Sequence, residues 1–352
     1  MKRWKIIGLM SGSSLDGLDI AYCEFSESGG KWHYKILEAE TMPYPAHWQD
    51  ILENIRKATA QELVCFHNDY GKFLGETTLQ FIKKHSLSPD LIASHGHTVF
   101  HNPAEGYTFQ MGNGQAIANI TNVKTVADFR TGDILLGGQG APLVPIGDKL
   151  LFNEYSACLN IGGISNITFK DCENTQAFDI CPANQLLNRV AGQLGMKYDK
   201  DGNVASLGKL DKKLLQVLEN DDYYRKKFPK SLSNEYVQDN FMKAIDIFEL
   251  PVEDKLHTVT IHIAEKIAES FNLIHAEKAL ITGGGAKNRF LIKKIRERTR
   301  TEIVIPDDKL IGFKESLIFA FMGLLKIQNK VNCLSSVTGA VRDSSSGVIF
   351  QP

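Results

Sequence analysis

Three things are scarce in this sequence. None of its six cysteines forms a Cys-x-x-Cys pair; they stand singly at Cys23, Cys65, Cys158, Cys172, Cys181 and Cys333. In a chain of 352 residues that pattern argues against structural zinc or a disulfide framework and for reduced thiols. No apolar run approaches the length that crosses a bilayer. The short stretch Ile6–Met10 runs straight into Ser and Gly, so it does not read as a signal segment. Charge of one sign is also lacking: 40 Lys and Arg face 41 Asp and Glu, a net charge of −1. Nothing in that balance draws the chain to nucleic acid or an anionic membrane. With 43% hydrophobic and 23% charged residues the composition is that of a globular protein, long enough for two domains. The expectation is a cytoplasmic protein handling a small ligand, with neither a nucleic-acid nor a membrane partner.

What is present is glycine at strand ends. Trp4–Tyr22 reads as a strand (Lys5–Met10), a Gly/Ser turn and a second strand from Leu18. Gly12 and Gly17 supply conformations other residues resist. Ser11, Ser13 and Ser14 supply hydroxyls, and the N–H groups of such a turn can converge on an anion. Asp16 and Asp19 would repel a bare anion, so their presence suggests a metal–phosphate complex. A Walker loop would place Lys and Ser/Thr at a helix start; here a phosphate would bind at a hairpin turn. The same order recurs at Cys158–Ile161, Gly162-Gly163 and Ile164–Lys170, roughly 150 residues on, one domain length. A third turn, Gly283-Gly284-Gly285, lies between an apolar strand and a helix, where no Cβ would block a ligand. A compact strand–helix connection would use the same glycines.

The remaining chain alternates strands with helical spacings at Gln61–Lys84, Thr258–His275 and Lys314–Ile327, which argues α/β layers. The Gly/Pro-rich Gly137–Pro145 is the expected inter-domain crossing, and the repeated grammar suggests two similar halves around a cleft. Asp179 ends a strand just before a helix, as a general base or as an N-cap. Arg130, in Asp128-Phe129-Arg130, offers a fork suited to a carboxylate, or an exposed ion pair. Glu315 opens a helix, where the dipole favours it. His95, His97 and His101 lack metal-like spacing to further ligands; substrate hydrogen bonding or packing suits them better. Gly turns gripping phosphates, a third holding a nucleoside, and carboxylates for metal or proton are what phosphoryl transfer requires.

These residues resemble the anhydro-N-acetylmuramic acid kinases of the actin/hexokinase/heat-shock ATPase superfamily. GLMSGSSLDGLD (Gly8–Asp19) looks like that family's first phosphate loop, with Ser13 where Thr is usual. HGHT (His95–Thr98) is similar to its HGQT, and VADFRTGD (Val126–Asp133), GGQGAPLVP (Gly137–Pro145), NIGGISNIT (Asn160–Thr168), TGGGAKN (Thr282–Asn288) and SVTGA (Ser336–Ala340) follow in family order. FDICPAN (Phe178–Asn184) stands where FDTGPGN is usual, so Cys181 and Ala183 replace glycines. Further departures are His97 for Gln, Asn188 for Asp, Gly112-Asn113-Gly114 for Gly-Asp-Pro, and Leu232-Ser233-Asn234 for Thr-Gly-Arg.

The resemblance implies an α/β fold of two actin-like (ribonuclease H-like) domains flanking a nucleotide and substrate cleft: 1–140 with 336–352, and 141–335. It implies ATP with Mg2+, and commonly a homodimer. The reaction would convert 1,6-anhydro-N-acetylmuramic acid and water to N-acetylmuramic acid 6-phosphate in peptidoglycan recycling. Asp179 falls on the catalytic position. Gly12, Ser13, Ser14, Asp16, Gly17, Asp19, Gly162 and Gly163 fall on phosphate positions, with Asp19 also toward the metal. Gly283, Gly284, Gly285 and Asn288 fall on the adenosine side, and His95, Thr98, Arg130 and Glu315 on the sugar side. The loop departures leave open a kinase for a different amino sugar, or a catalytically impaired nucleotide sensor.

Overall fold

The computed structural model describes residues 2–12, 15, 17–171, 174–228 and 230–352. Ser13, Ser14 and Asp16 of the first loop lie outside the described residues. The chain divides into two compact units: unit 1 is Met1–Phe152 with Phe313–Pro352, and unit 2 is Asn153–Gly312.

Unit 1 begins with β1 (Arg3–Ser11), β2 (Leu18–Ser28), β3 (Lys31–Met42), β4 (Leu91–Ser94), β5 (His97–Asn102), β6 (Tyr107–Met111) and β7 (Thr125–Ala127). Unit 2 contributes β8 (Ala157–Ile161), β9 (Ile164–Asp171), β10 (Asn174–Pro182), β11 (Lys278–Thr282) and β12 (Glu302–Val304). The chain returns to unit 1 for β13 (Val348–Phe350). The two main sheets run β13-β7-β4-β1-β2-β3 and β10-β9-β8-β11-β12. In each, the first three strands form an antiparallel meander and the first strand then pairs parallel with the fourth. The fifth strand joins the fourth in parallel. Both sheets therefore have the actin-like (ribonuclease H-like) strand order, with β13 added at the unit 1 edge.

Burial follows from sequence. Ile6, Ile7 and Leu9 of β1 and all of β4 are buried, the unbroken apolar run of strands covered on both faces. One cover is the later part of the Asp308–Ile327 helix. A Cβ on Gly8 would sit 1.9 Å from the Ser316 carbonyl, and one on Gly323 would sit 2.7 Å from Cβ of Ala93. Glycine at those two points lets helix and sheet backbones approach closely. On the other side, Ala60–Lys84 starts at a capping box of Thr59 and Glu62. It sets Tyr70, Leu74 and Phe81 into a core with Ile7, Leu9, Ile20 and Ile92. In unit 2 the Val252–Leu273 helix puts Leu256, Val259, Ile263 and Ile267 into the core under β8–β11, at helical spacing. Among the described residues no helix is long and apolar enough to cross a membrane.

Three features depart from the sequence reading. β5 and β6 pair as an antiparallel hairpin that the sequence pattern does not announce. Pro145–Leu151 is a helix: Pro145 stands at its first turn, where proline is tolerated, although it reads as a breaker. The segment Gly137–Pro145 lies inside unit 1, tied down at Gly138, Gln139 and Gly140 by hydrogen bonds to Asp133 and Thr338. The chain passes back from unit 2 within the Asp308–Ile327 helix, next to Phe313, whose φ of −120° and ψ of 17° break the helical path.

Candidate active site

In unit 1, the turn between β1 and β2 is closed by Leu15 N–H donating to the Gly12 carbonyl (3.4 Å). Leu15 takes a left-handed φ of 54° and packs on the unit 1 core. Gly17 is glycine for packing: a Cβ there would lie 2.5 Å from the Met42 carbonyl. Asp19 stands on β2 opposite Thr41, whose hydroxyl donates to its Oδ1 (2.5 Å). Among the described residues no group of three or more His, Cys, Asp or Glu could hold a metal by itself. Magnesium carried on nucleotide phosphates asks for one or two protein carboxylates, a demand Asp19 fits.

Ser11, at the mouth of this turn, is buried in a polar cluster. Its Oγ contacts Tyr44 OH (2.8 Å), Tyr70 OH (3.0 Å) and His97 Nδ1 (2.9 Å), and the two tyrosine hydroxyls touch at 2.9 Å. Both tyrosine hydroxyls donate to Ser11 Oγ, which leaves the Ser11 hydroxyl hydrogen for His97 Nδ1.

His95 and Arg130 form the second cluster. His95 is buried beside Phe319. Its Nδ1 donates to the Gly96 carbonyl (2.9 Å), and its Nε2 accepts from Arg130 Nε (3.0 Å) and Nη2 (2.8 Å). Arg130 Nη1 donates to the Gly140 carbonyl (2.7 Å). Burial pulls the guanidinium down to about 10, with Glu315 and Cys333 opposing that loss; it stays a cation at neutral pH. Three of its five N–H groups are engaged among the described residues. The two left, one on each terminal nitrogen, can take both oxygens of a carboxylate. Arg130 is thus no exposed ion pair. Asp128, at φ 57°, turns the chain after β7 and accepts from Thr131 N–H (3.3 Å), which aims the next residues. Thr98 stands on β5, accepting from Gln110 Nε2 at 3.4 Å. His101 pairs with Thr108 across the hairpin.

In unit 2, Asp179 sits at a β-bulge of β10, where the register against β9 slips between Asp179 and Cys181. Bulges beside active sites re-aim a side chain. Asp179 Oδ2 accepts from Leu232 N–H (2.9 Å), and its main-chain carbonyl accepts from Tyr223 OH (2.6 Å). Oδ1 has no hydrogen-bond partner among the described residues. Burial raises the carboxyl above its usual range, with the Leu232 N–H working against it. The Gly162 and Gly163 carbonyls accept from Asn184 N–H (3.1 Å) and from Ala183 and Gln185 N–H (2.8 and 3.2 Å). The glycine turn thus caps the Asn184–Ala191 helix. In the third turn, Cβ atoms on Gly283 and Gly285 would strike Asn160 and Ile161, whereas one on Gly284 would meet only Asn184 at 3.6 Å. Packing accounts for the outer two glycines, and at Gly284 a side chain would have room. Asn288 caps the Arg289–Arg296 helix by accepting from Leu291 N–H (3.0 Å).

Residues 4–352 match the sequence profile of the anhydro-N-acetylmuramic acid kinase family. The chain belongs to that family. The anhydro-N-acetylmuramic acid kinase of Caldanaerobacter subterraneus is 36% identical, covering 95% of this chain and 94% of its own. That of Francisella tularensis is 34% identical over 95% of each. Among solved structures, component A of the (R)-2-hydroxyglutaryl-CoA dehydratase of Acidaminococcus fermentans aligns over 92% of this chain and 99% of its own, at 12% identity and a TM-score of 0.48, too remote to argue from. As a family member the chain is a phosphotransferase, an anhydro-N-acetylmuramic acid kinase of cell-wall recycling.

The departures from the kinase pattern, Asn188 excepted, fall where residues do structural work. Cys181 is buried in the unit 2 core, its thiol against Ser165 Oγ (3.2 Å) and pushed up to about 12 by burial. Ala183 is in the same core. Leu232 buries its side chain and meets Asp179 through its main chain only. Asn113 caps the Gly114–Thr121 helix, and Asn188 is exposed.

The buried histidines make stability depend on acid. Burial lowers His95 well below the usual imidazole range, His97 to about 4 and His262 to about 3, with Arg130, Arg56 and Lys266 respectively adding to it. Unfolded, each binds a proton near pH 6.5, while the native state does not. Stability is therefore full above about pH 6.5 and falls as the pH drops from there toward 4, by about 1.4 kcal/mol per pH unit for each histidine. Urea unfolding at several pH values should show this, and His97→Gln, which restores the usual family residue, should shallow the slope by one proton.

Proposed function

We propose that the chain phosphorylates O6 of 1,6-anhydro-N-acetylmuramic acid with ATP while water opens the anhydro bridge. Asp179 takes a proton from the water as its oxygen bonds C1. The C1–O6 bond breaks, and O6 bonds the γ-phosphorus as ADP leaves. The observation that carries this reading is the held Asp179 carboxylate: one oxygen fixed by a main-chain N–H, the other without a hydrogen-bond partner among the described residues, and a pKa raised toward that of an effective base. The bound magnesium would neutralise phosphate charge, with Asp19 its protein ligand. Gly12, Ser13, Ser14, Asp16, Gly17, Gly162 and Gly163 would line the phosphates, and Gly283, Gly284, Gly285 and Asn288 the adenosine. Arg130 would take the lactyl carboxylate with its two remaining N–H groups, oriented by His95, whose nitrogens are both committed within the protein. Thr98 and Glu315 would hydrogen-bond the sugar.

Cys181, the departure that would most favour a nucleotide sensor without turnover, lies in the core, which supports the enzyme reading. The cytoplasm is the proposed compartment and a homodimer the proposed assembly. Coupled ADP release with magnesium-ATP and the anhydro sugar, with the product mass read for gain of both phosphoryl and water, tests the reaction. Turnover without the added water, or none with this sugar, would refute it.

A further inference from the structure

We propose that Asp133 is a positioning residue for this reaction, setting the Arg130 guanidinium by holding the Gly140 main chain. The inference rests on reading Arg130 as the group that meets the sugar carboxylate. Asp133 is 1% exposed, in the short Thr131–Leu135 helix just after Arg130. Its Oδ2 accepts from Gly140 N–H (2.8 Å), and its Oδ1 accepts from Thr338 Oγ1 (2.8 Å) and Cys333 Sγ (3.1 Å). Gly140 in turn presents its carbonyl to Arg130 Nη1 at 2.7 Å. Thr338 also receives Gln139 N–H on its carbonyl (2.8 Å). Three family segments far apart in sequence, VADFRTGD, GGQGAPLVP and SVTGA, thus converge on one carboxylate.

The fit is close. A Cβ on Gly138 would lie 2.2 Å from Asp133 Oδ2, and Gly140 holds a φ of 63°. The donors that reach the carboxylate are neutral, so it is buried without a charge partner among the described residues, a costly arrangement for fixing a loop alone. What it secures is the carbonyl that, with His95, leaves Arg130 one free N–H on each terminal nitrogen. A displacement of about 1 Å in such a clamp is worth on the order of 100-fold in rate.

The test is steady-state kinetics on the full chain with the anhydro sugar and magnesium-ATP, folding being checked by near-UV circular dichroism. Asp133→Ala should raise the sugar KM on the order of 10- to 100-fold while the ATP KM stays within about twofold. Asp133→Asn should recover most of the loss, because its amide oxygen can face Gly140 N–H while its NH2 faces Thr338 Oγ1. Thr338→Val should show a milder form of the same split, and serves if Asp133→Ala does not fold. In an Arg130→Ala background, Asp133→Ala should leave the sugar KM unchanged, since the two act as one unit. A folded Asp133→Ala protein with wild-type sugar KM, or full additivity with Arg130→Ala, would overturn the proposal. An Arg130→Ala protein with unchanged sugar KM would instead remove the underlying reading of Arg130.

Discussion

Asp179→Asn should lower turnover on the order of 10²- to 10⁴-fold, the usual scale for losing a positioned general base, with ATP affinity and thermal stability nearly unchanged. The structure separates the two functions of this side chain. Its structural contact is one hydrogen bond from Leu232 N–H, which an amide oxygen can also accept. Its proposed chemical function, taking a proton from water, is lost with the charge. The bulge in β10 and the Tyr223 hydroxyl on the Asp179 carbonyl do not depend on the side chain, so the variant should keep its geometry. Single-turnover kinetics and nucleotide titration on the same preparation would read both quantities. Near-normal turnover would move the base elsewhere. Joint loss of turnover and nucleotide affinity would mean that the substitution had disturbed the fold.

Gly8→Ala should cost more than about 3 kcal/mol, the upper part of the range for overpacking a core. The added methyl would lie 1.9 Å from the Ser316 carbonyl oxygen, 2.8 Å from its carbon and 3.0 Å from the Ala320 nitrogen. All three are main-chain atoms of one helix, so no side chain can rotate away. The helix itself would have to move, and Leu317, Ile318, Ala320 and Phe321 beside the contact are fully buried in an interior packed like an organic crystal. Against a typical total stability of about 5–15 kcal/mol, that loss should show as a large drop in urea midpoint or as insolubility. Gly192→Ala is the matched control: a Cβ there meets nothing within 4 Å and its φ is ordinary, so its midpoint should barely change. Equal midpoints for the two variants would mean that the helix does not lie on β1 as described.

Much of this fold can be read in the sequence because its signals are local. An apolar run, a Gly-rich turn and a second apolar run define β1–β2 and β8–β9, and the 3.6-residue spacing of Leu63, Phe66, Tyr70 and Leu74 defines a helix. What escapes local reading has a non-local cause. The Pro145–Leu151 helix begins with a residue that ordinarily ends helices. Gly137–Pro145 has the composition of a linker but is anchored by Asp133 and Thr338, the latter about 200 residues away in sequence. In the site, Asp179 and Arg130 are legible as residue types at strand ends. Their partners are not: Leu232 N–H comes from 53 residues downstream, and His95, for which the sequence offers substrate hydrogen bonding or packing, spends both nitrogens on Gly96 and Arg130. The role of Cys181 needed the bulge, which turns both Ile180 and Cys181 into the core.

Unit 2 is one uninterrupted stretch, whereas unit 1 is assembled from both ends of the chain. On the ribosome, β1 and β4 emerge early, yet the helix that lies against Gly8 and Ala93 and the edge strand β13 come only after the roughly 160 residues of unit 2 have been made. At 5–20 residues per second, that leaves the first sheet waiting for at least about 8–30 s with one apolar face uncovered. Unit 2, with its own core, can close in that interval. Residues 313–352 therefore decide when the first sheet stops being prone to aggregate, and deleting β13 should harm solubility without touching a residue of the site.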